Sequence, residues 1–154
     1  MNRLFPYFLA GPGAVGLLIL RVVTGGALML HGFPKIQNAF HWMDKAPNHP
    51  PAFLQALAAF AEFGGGLALI LGLLTPIAMF GVACTMAYAV VKVHMARHDP
   101  WVPAPGAKGG SFELALGYLA VALMFILVGP GRLSVDALLF GRSHRVSDER
   151  LRYR

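Results

Sequence analysis

Long apolar runs separated by short polar stretches make up most of this chain. Four runs stand out, at residues 14–31, 52–74, 76–94 and 112–128. Each is close to the length of about 20 residues that a helix needs to cross the hydrocarbon core of a bilayer. The runs are continuous and do not alternate between apolar and polar positions, so they predict helices and argue against a membrane barrel. We therefore expect an all-α integral membrane protein built as a four-helix bundle.

Glycine and proline mark the expected ends of these spans. The Gly-Phe-Pro motif at 32–34 is expected to end the first helix, and the Gly-Pro-Gly motif at 129–131 the fourth. Thr-Pro at 75–76 leaves almost no connection between the second and third spans, which predicts that these helices are antiparallel neighbours. Residues 135–140 form a short amphipathic stretch with Ser134 as its predicted cap, and we expect this C-terminal helix to lie at the membrane interface.

Composition and charge extend this picture to topology. The chain is 56% hydrophobic and only 13% charged, which is typical of a multi-pass membrane protein. We predict one transmembrane domain over residues 1–140 and a basic tail over residues 141–154. Because arginines crowd this tail, we expect both termini in the cytoplasm, a plasma (inner) membrane location and a retained first span. Attraction to anionic lipid explains the basic residues, so nucleic acid is not an expected partner.

The sequence argues against several kinds of chemistry. Cys84 is the one cysteine, which excludes a disulfide framework and a CxxC pair, and its apolar surroundings predict an inert thiol. No Walker, GxSxG or HExxH motif is present and no GxGxxG opens a helix after a strand, so no nucleotide cofactor is expected. His94 and His98 have the i, i+4 spacing that can place two imidazoles on one metal, but this spacing alone is a weak signal and no metal is expected.

Two charges interrupt the apolar runs: Arg21 lies within the first run and Glu62 within the second. A charge at bilayer depth costs about 2.5–3.5 kcal/mol on insertion scales unless it is paired or faces water. If the first helix ends at His31, both residues lie about ten residues from the same side, and so at the same depth. We therefore predict a buried ion pair between Arg21 and Glu62, which acts as a strut, binds a ligand headgroup or relays protons.

A second polar set is predicted at the outer side of the membrane. His31 ends the first span and Lys35 follows it, His94 ends the third and Glu113 begins the fourth. With both termini inside, these residues lie near one interface plane and form a polar mouth. Simpler explanations stay open, because a carboxylate such as Glu113 is favoured at a helix N-terminus and a lysine such as Lys35 often reaches to the headgroups.

One set of residues carries a family resemblance: Arg21, His31, Gly32, Lys35, Glu62, Gly65, Gly66, the Leu-Gly-Leu at 71–73, Thr75, Met86, His94, Glu113, the Gly-Pro-Gly at 129–131, Ser134 and Asp136. In order and spacing this set resembles the DoxX family over about residues 20–136. The resemblance implies a four-helix membrane bundle. Some DoxX-like proteins are subunits of thiosulfate:quinone oxidoreductase, others are linked to membrane oxidoreductase complexes that handle thiol and oxidative stress, and animal relatives act as receptor-assembly chaperones.

The leading interpretation is a subunit of a membrane oxidoreductase system that binds a quinone-like headgroup between its helices. Quinone oxygens need donors such as His, Arg or Lys, and their reduction needs a nearby carboxylate or His for proton delivery. The chain supplies both types but no electron source, so we expect a protein partner that carries the electron donor, in a setting of membrane lipid. Two alternatives stay open: a non-catalytic assembly factor or scaffold, and a small-solute or metal carrier, which would need a homo-oligomer.

Overall fold

The structure is a computed structural model that describes residues 8–46, 49–106 and 110–141, and within these ranges every regular element is a helix. In chain order the helices are α1 (Pro12–Ile36), α2 (Ala52–Leu71), α3 (Thr75–Tyr88), α4 (Glu113–Val128) and a short α5 at residues 135–141. Helices that are neighbours in sequence pack side by side from α1 to α4. The all-α helical membrane bundle is thus confirmed, while most of the predicted basic tail lies outside the described residues.

Three helices in the described part of the chain are long and apolar enough to cross a membrane. They are α1, α2 and the continuous helix Thr75–Arg97 that begins with α3. In contrast, α4 has 16 residues and a length of about 24 Å, which is short of the roughly 30 Å of the hydrocarbon core. The fourth apolar run therefore forms a helix that is shorter than the other three.

The end of α1 differs from the expected stop at residues 32–34. Pro34 lies inside the helix, which continues to Ile36. A proline in a helix interior is costly because it lacks an N–H and crowds the preceding turn. Here packing on α2 holds the last turn in place, since a Cβ on Gly32 would lie only 2.6 Å from the backbone nitrogen of Phe63. The first helix is therefore more than one turn longer than its apolar pattern predicts.

The turn from α2 to α3 is tight and makes the two helices antiparallel neighbours. Gly72 ends α2 in the left-handed conformation, with φ of 64°, which glycine adopts without steric cost. After Tyr88, α3 passes into a π-helical segment, Ala89–His94, and then into a 3₁₀ turn, Met95–Arg97. The helix thus continues past the expected end of the third span.

Glycines bring α1 and α2 into backbone contact. A Cβ on Gly25 would lie 2.6 Å from the carbonyl oxygen of Gly66, and a Cβ on Gly66 would lie 2.7 Å from the carbonyl oxygen of Gly25. Small residues permit this close approach in lipid, where helices associate through van der Waals packing. The contact fixes the register of α1 on α2, and this register decides which polar side chains meet.

Candidate functional site

Arg21 lies at the end of the bundle where α2 turns into α3. Its side chain is buried and donates hydrogen bonds to four main-chain oxygens: Leu69 at 2.9 Å, Ile70 at 2.7 Å, Pro130 at 3.1 Å and Leu133 at 2.6 Å. Two of these oxygens belong to the last turn of α2, where carbonyls lack the regular i+4 partner of a helix interior. The other two belong to the segment that follows α4. Arg21 therefore ties α1 to α2 and to the C-terminal segment.

Asp136 completes this arrangement from α5. Its buried carboxylate accepts hydrogen bonds from the backbone N–H groups of Leu74, at 2.7 Å, and Thr75, at 2.9 Å. A carboxylate in this position caps the N-terminus of α3 and is favoured by the helix dipole. Asp136 also attracts the Arg21 guanidinium electrostatically, and Ser134 caps α5, as predicted. We call this group of residues the turn end of the bundle.

The predicted ion pair between Arg21 and Glu62 does not form, because the two residues lie at different depths. Glu62 lies beside Gly32, where a Cβ would be 3.0 Å from the Glu62 Cβ. Gly32 follows Arg21 by eleven residues, or about 16 Å along the helix axis. The prediction assumed that α1 ends at His31, whereas the helix continues to Ile36. The five added residues account for about 8 Å of this difference. The rest arises because Glu62, ten residues into α2, lies level with Gly32, only four residues before the end of α1.

Glu62 pairs with Lys35 instead. The Lys35 Nζ lies 2.6 Å from both carboxylate oxygens of Glu62, and the two side chains are 17% and 3% exposed. The same ammonium lies 4.7 Å from the ring centroid of Trp42, a distance at which the aromatic face attracts a cation. The ammonium is thus held between a buried carboxylate and an indole ring.

The loop between α1 and α2 is fixed over this pair by Gln55, which is fully buried. Its side-chain amide donates to Asp44 Oδ1 at 2.7 Å and to the Pro50 oxygen at 3.1 Å, and its Oε1 accepts from the Met43 N–H at 2.8 Å. The Gln55 carbonyl accepts from the indole N–H of Trp42 at 2.9 Å. Gln55 therefore holds the loop through its side-chain amide and positions the indole beside the ammonium through its main-chain carbonyl.

Asp44 is the charged member of this loop network. The hydrogen bond from Gln55, followed by that from His41, lowers the pKa of Asp44 below its ordinary value. The His41 Nδ1 lies 2.8 Å from Asp44 Oδ2, and both side chains are largely open to water. Hydrogen bonds to a carboxylate favour its ionised form, so the loop network favours the charged form of Asp44.

His94 is a further titratable group at this end of the bundle, and its Nδ1 lies 2.8 Å from Asp99 Oδ2. His98 has left-handed backbone geometry, with φ of 57°, so the helix does not carry His94 and His98 on one face as a shared metal site requires. Across residues 8–46, 49–106 and 110–141, no group of three His, Cys, Asp or Glu side chains is arranged to hold a metal ion.

A cavity of about 830 Å³ opens beside the Lys35–Glu62 pair. Most of its lining is apolar and comes from α2, α3 and α4. Three of the four residues of the predicted outer mouth line it, namely His31, Lys35 and His94, together with Glu62. Cavities of this size and character are typical of small-molecule sites. We call this region, with the loop above it, the cavity end of the bundle.

Glu113 is not among the residues that line this cavity. It lines a smaller neighbouring cavity of about 420 Å³, together with Thr24 and Tyr118. Tyr118 also lines the larger cavity, so the two adjoin. Glu113 occupies the first turn of α4, which fits the simpler explanation that a carboxylate there is favoured by the helix dipole.

Sequence reasoning misses several residues that organise the two ends. Gln55 is an isolated amide within the second apolar run, and a buried amide needs several partners, so its isolation was a usable signal. Asp136 belongs to the motif that carries the family resemblance, but its partners, two backbone N–H groups, leave no pattern in sequence. Asp99 lies five residues from His94, a spacing that an α-helix does not bring together.

Comparison with known proteins supports one family. The DoxX family model matches residues 16–95, from α1 to the first residue of the 3₁₀ turn. The chain is similar to an uncharacterized protein of Haemophilus influenzae, with 33% identity over 91% of this chain and 96% of the relative. It is also similar to the inner membrane protein YqjF of Escherichia coli, with 30% identity over 81% of this chain and 92% of that protein. No solved structure matches the chain.

Proposed function

The chain belongs to the DoxX family of membrane proteins, and from this premise we propose that it is a subunit of an inner-membrane oxidoreductase system whose cavity binds a quinone headgroup. The observation that carries the proposal is the cavity of about 830 Å³ with the buried Lys35–Glu62 pair in its wall. Similarity to an inner membrane protein supports the location. The arginine-rich C-terminal sequence supports cytoplasmic termini.

The residues of the cavity fit a quinone. Its volume is within the range of roughly 300–1,000 Å³ for small-molecule sites, and its apolar walls suit a ring and the start of a lipid tail. Hydrogen-bond donors for carbonyl oxygens are available from His31 and Tyr118, and from His94 when its ring is protonated. A bound quinone would supply the electron-accepting chemistry. The chain's own residues would bind and orient it and exchange protons with it.

The source of electrons is assigned to a partner protein. The sequence holds one cysteine and no GxGxxG between a strand and a helix, so it has no dithiol and no recognisable flavin or nicotinamide site. Cys84 lines the cavity, but a single thiol cannot cycle through an intramolecular disulfide. We therefore propose that a second membrane or membrane-bound protein carries the donor.

A non-catalytic scaffold is the second candidate, and one observation favours it. Lys35 and Glu62 already neutralise each other, as two residues of a purely structural strut would. A scaffold needs no ligand in the cavity, whereas the quinone proposal requires one. Ligand binding therefore separates the two functions.

The proposal is tested by filling the cavity. Cys84 lines it and lies on α3, so Cys84→Phe places a ring inside. Ala120→Phe is the matched control, because residue 120 is exposed on α4 and is not among the residues that line either cavity. With purified protein and a short-chain ubiquinone analogue, we expect quenching of tryptophan fluorescence to give at least tenfold weaker binding for Cys84→Phe and unchanged binding for the control.

The melting temperature without ligand shows whether each variant is folded. Equal affinity of the parent and of folded Cys84→Phe, or no binding by the parent, would reject the quinone site and favour the scaffold.

A further inference from the structure

His94 ends a segment of unusual geometry. The π-helical turn Ala89–His94 interrupts an otherwise α-helical span, and such turns occur frequently at functional sites because they displace side chains from the regular helical positions. The helix then closes with a 3₁₀ turn and ends at His98. His94 lines the cavity, so the irregular segment places an imidazole at the proposed ligand site.

Asp99 contacts His94 through both its side chain and its backbone. Its Oδ2 lies 2.8 Å from His94 Nδ1, and its backbone N–H donates to the His94 carbonyl at 3.0 Å. Both side chains are mostly buried, at 21% and 16% exposure. An ionised carboxylate can only accept a hydrogen bond, so Nδ1 must carry the proton. The other ring nitrogen, Nε2, is then left for a ligand.

Gly110 shows that this pair is closely enclosed. A Cβ at this position would lie 2.9 Å from Asp99 Oδ2 and 3.7 Å from His94 Nδ1. The backbone at Gly110, which has no side chain, therefore packs directly against the Asp99 carboxylate. The rings of Trp101 and Phe112, whose centroids are 5.5 Å apart, hold the two sides of this loop together.

We propose that Asp99 is a positioning residue that fixes the Nδ1–H tautomer of His94, so that Nε2 takes up a proton when a carbonyl ligand binds in the cavity. This inference rests on the proposed quinone site. A neutral imidazole with its proton on Nδ1 offers only a lone pair at Nε2, which repels a carbonyl oxygen. Protonation turns Nε2 into a donor, and the Asp99 carboxylate stabilises the resulting imidazolium.

Other titratable groups face the same cavity. His31 and Lys35 of α1, Glu62 of α2, and Tyr118 of α4 line it, and Glu113 lines the adjoining cavity. Lys35 and Glu62 neutralise each other at 2.6 Å. The Asp99 carboxylate is therefore the charged group in direct hydrogen-bond contact with His94 in the described part of the chain.

The test compares the pH dependence of binding in parent, Asp99→Ala and His98→Ala. For the parent, affinity for the short-chain ubiquinone analogue should tighten by at least about tenfold from pH 8 to pH 6, because uptake of one proton on binding changes the affinity by up to about tenfold per pH unit. In Asp99→Ala the neutral ring can place its proton on Nε2 and donate without proton uptake, so the change should fall below about twofold. His98→Ala removes a nearby exposed imidazole and should keep the parent's dependence.

Nitrogen NMR of histidine-labelled protein gives a second readout that needs no ligand. We expect the Nδ1–H tautomer for His94 in the parent and a mixture in Asp99→Ala. An Nε2–H tautomer in the parent, or the same pH dependence in parent and Asp99→Ala, overturns the inference. If the parent does not bind the quinone analogue, the proposed function fails, and the NMR spectrum still decides whether Asp99 fixes the tautomer.

Discussion

The two ends of this bundle both bury charged side chains, but they satisfy them in different ways. At the turn end, Arg21 donates to four main-chain oxygens and Asp136 accepts from two main-chain N–H groups. At the cavity end, Lys35 and Glu62 pair through their side chains, and both line a cavity of about 830 Å³. Arg21 and Asp136 are not among the residues that line that cavity.

This difference separates two uses of charge in a membrane helix. A charge bonded only to main chain fixes helix ends and turns, and it has no capacity left for a ligand. A charge that is paired beside a cavity can have a neighbour that exchanges protons with a bound molecule. An intramembrane charge is a functional-site candidate by default, but its partners decide between the two uses. The turn end is structural, and the cavity end is where we place the ligand.

The largest effect is expected when the Arg21 charge at the turn end is removed, because only the turn end depends on that charge. In Arg21→Gln most of the four hydrogen bonds are lost, and each bond to a charged group contributes about 1.5–3 kcal/mol. We expect the free energy of unfolding in detergent to fall by about 5 kcal/mol or more. The fraction that remains folded should bind the quinone analogue with parent affinity, because Arg21 lies away from the cavity.

Arg132→Gln is the matched control, since its side chain is exposed in the neighbouring segment. Its unfolding free energy should stay within about 0.5 kcal/mol of the parent. A similar small loss for both variants would show that the Arg21 contacts do not hold the turn end together.

The next largest effect tests the partner of Glu62. Glu62→Gln leaves a mostly buried ammonium without its carboxylate, and breaking a buried pair in this way costs about 3–5 kcal/mol. Combining it with Lys35→Met should recover part of this loss, with a coupling energy of about 1–3 kcal/mol. The combination of Arg21→Gln and Glu62→Gln should instead be additive to within about 0.5 kcal/mol.

The free energies of unfolding of the single and double variants, measured in one detergent, give the coupling energy of each pair through a double-mutant cycle. Coupling between Arg21 and Glu62 that matches or exceeds the coupling between Lys35 and Glu62 would contradict the register of α1 on α2.

Apolar pattern was enough to predict the helices and the antiparallel turn between α2 and α3, because the bilayer imposes a length and a composition on any spanning helix. It was not enough to pair the charges. Arg21 binds main-chain carbonyls, which every residue carries, so no sequence signal marks them. The Lys35–Glu62 pair depends on the helix continuing through Pro34, and packing on α2 decides that against the local preference of proline.

The same limit on prediction from sequence applies to the candidate site. His31, Lys35 and His94 could be assigned to one side of the membrane from topology alone, and the cavity brings them together. The pairing of His94 with Asp99 depends on a π-helical turn and a left-handed residue, which are features of three-dimensional packing. Polar residues could thus be assigned to an end of the bundle, but their hydrogen-bond partners could not.

The smallest expected effect concerns the loop that covers the cavity end. Hydrogen bonds from Gln55 and His41 lower the pKa of Asp44 from its ordinary value of 3.8. Because the folded protein has the lower pKa, ionised Asp44 stabilises the loop fully above the ordinary value, and this contribution is lost as pH falls through the lowered one. The loop should therefore be unchanged from pH 7 to pH 5 and should loosen only in stronger acid. The effect is small because the carboxylate is open to water.

Trp42 reports this change, since its indole N–H is bonded to Gln55. In a Trp101→Phe background, Trp42 emission should shift below about pH 4 in the parent and stay constant in Asp44→Asn, whose amide oxygen still accepts from Gln55. The same acid shift in both proteins would assign it to another group. If Trp42 emission shifts in acid while the free energy of unfolding stays the same, the cavity end can open while the turn end stays closed.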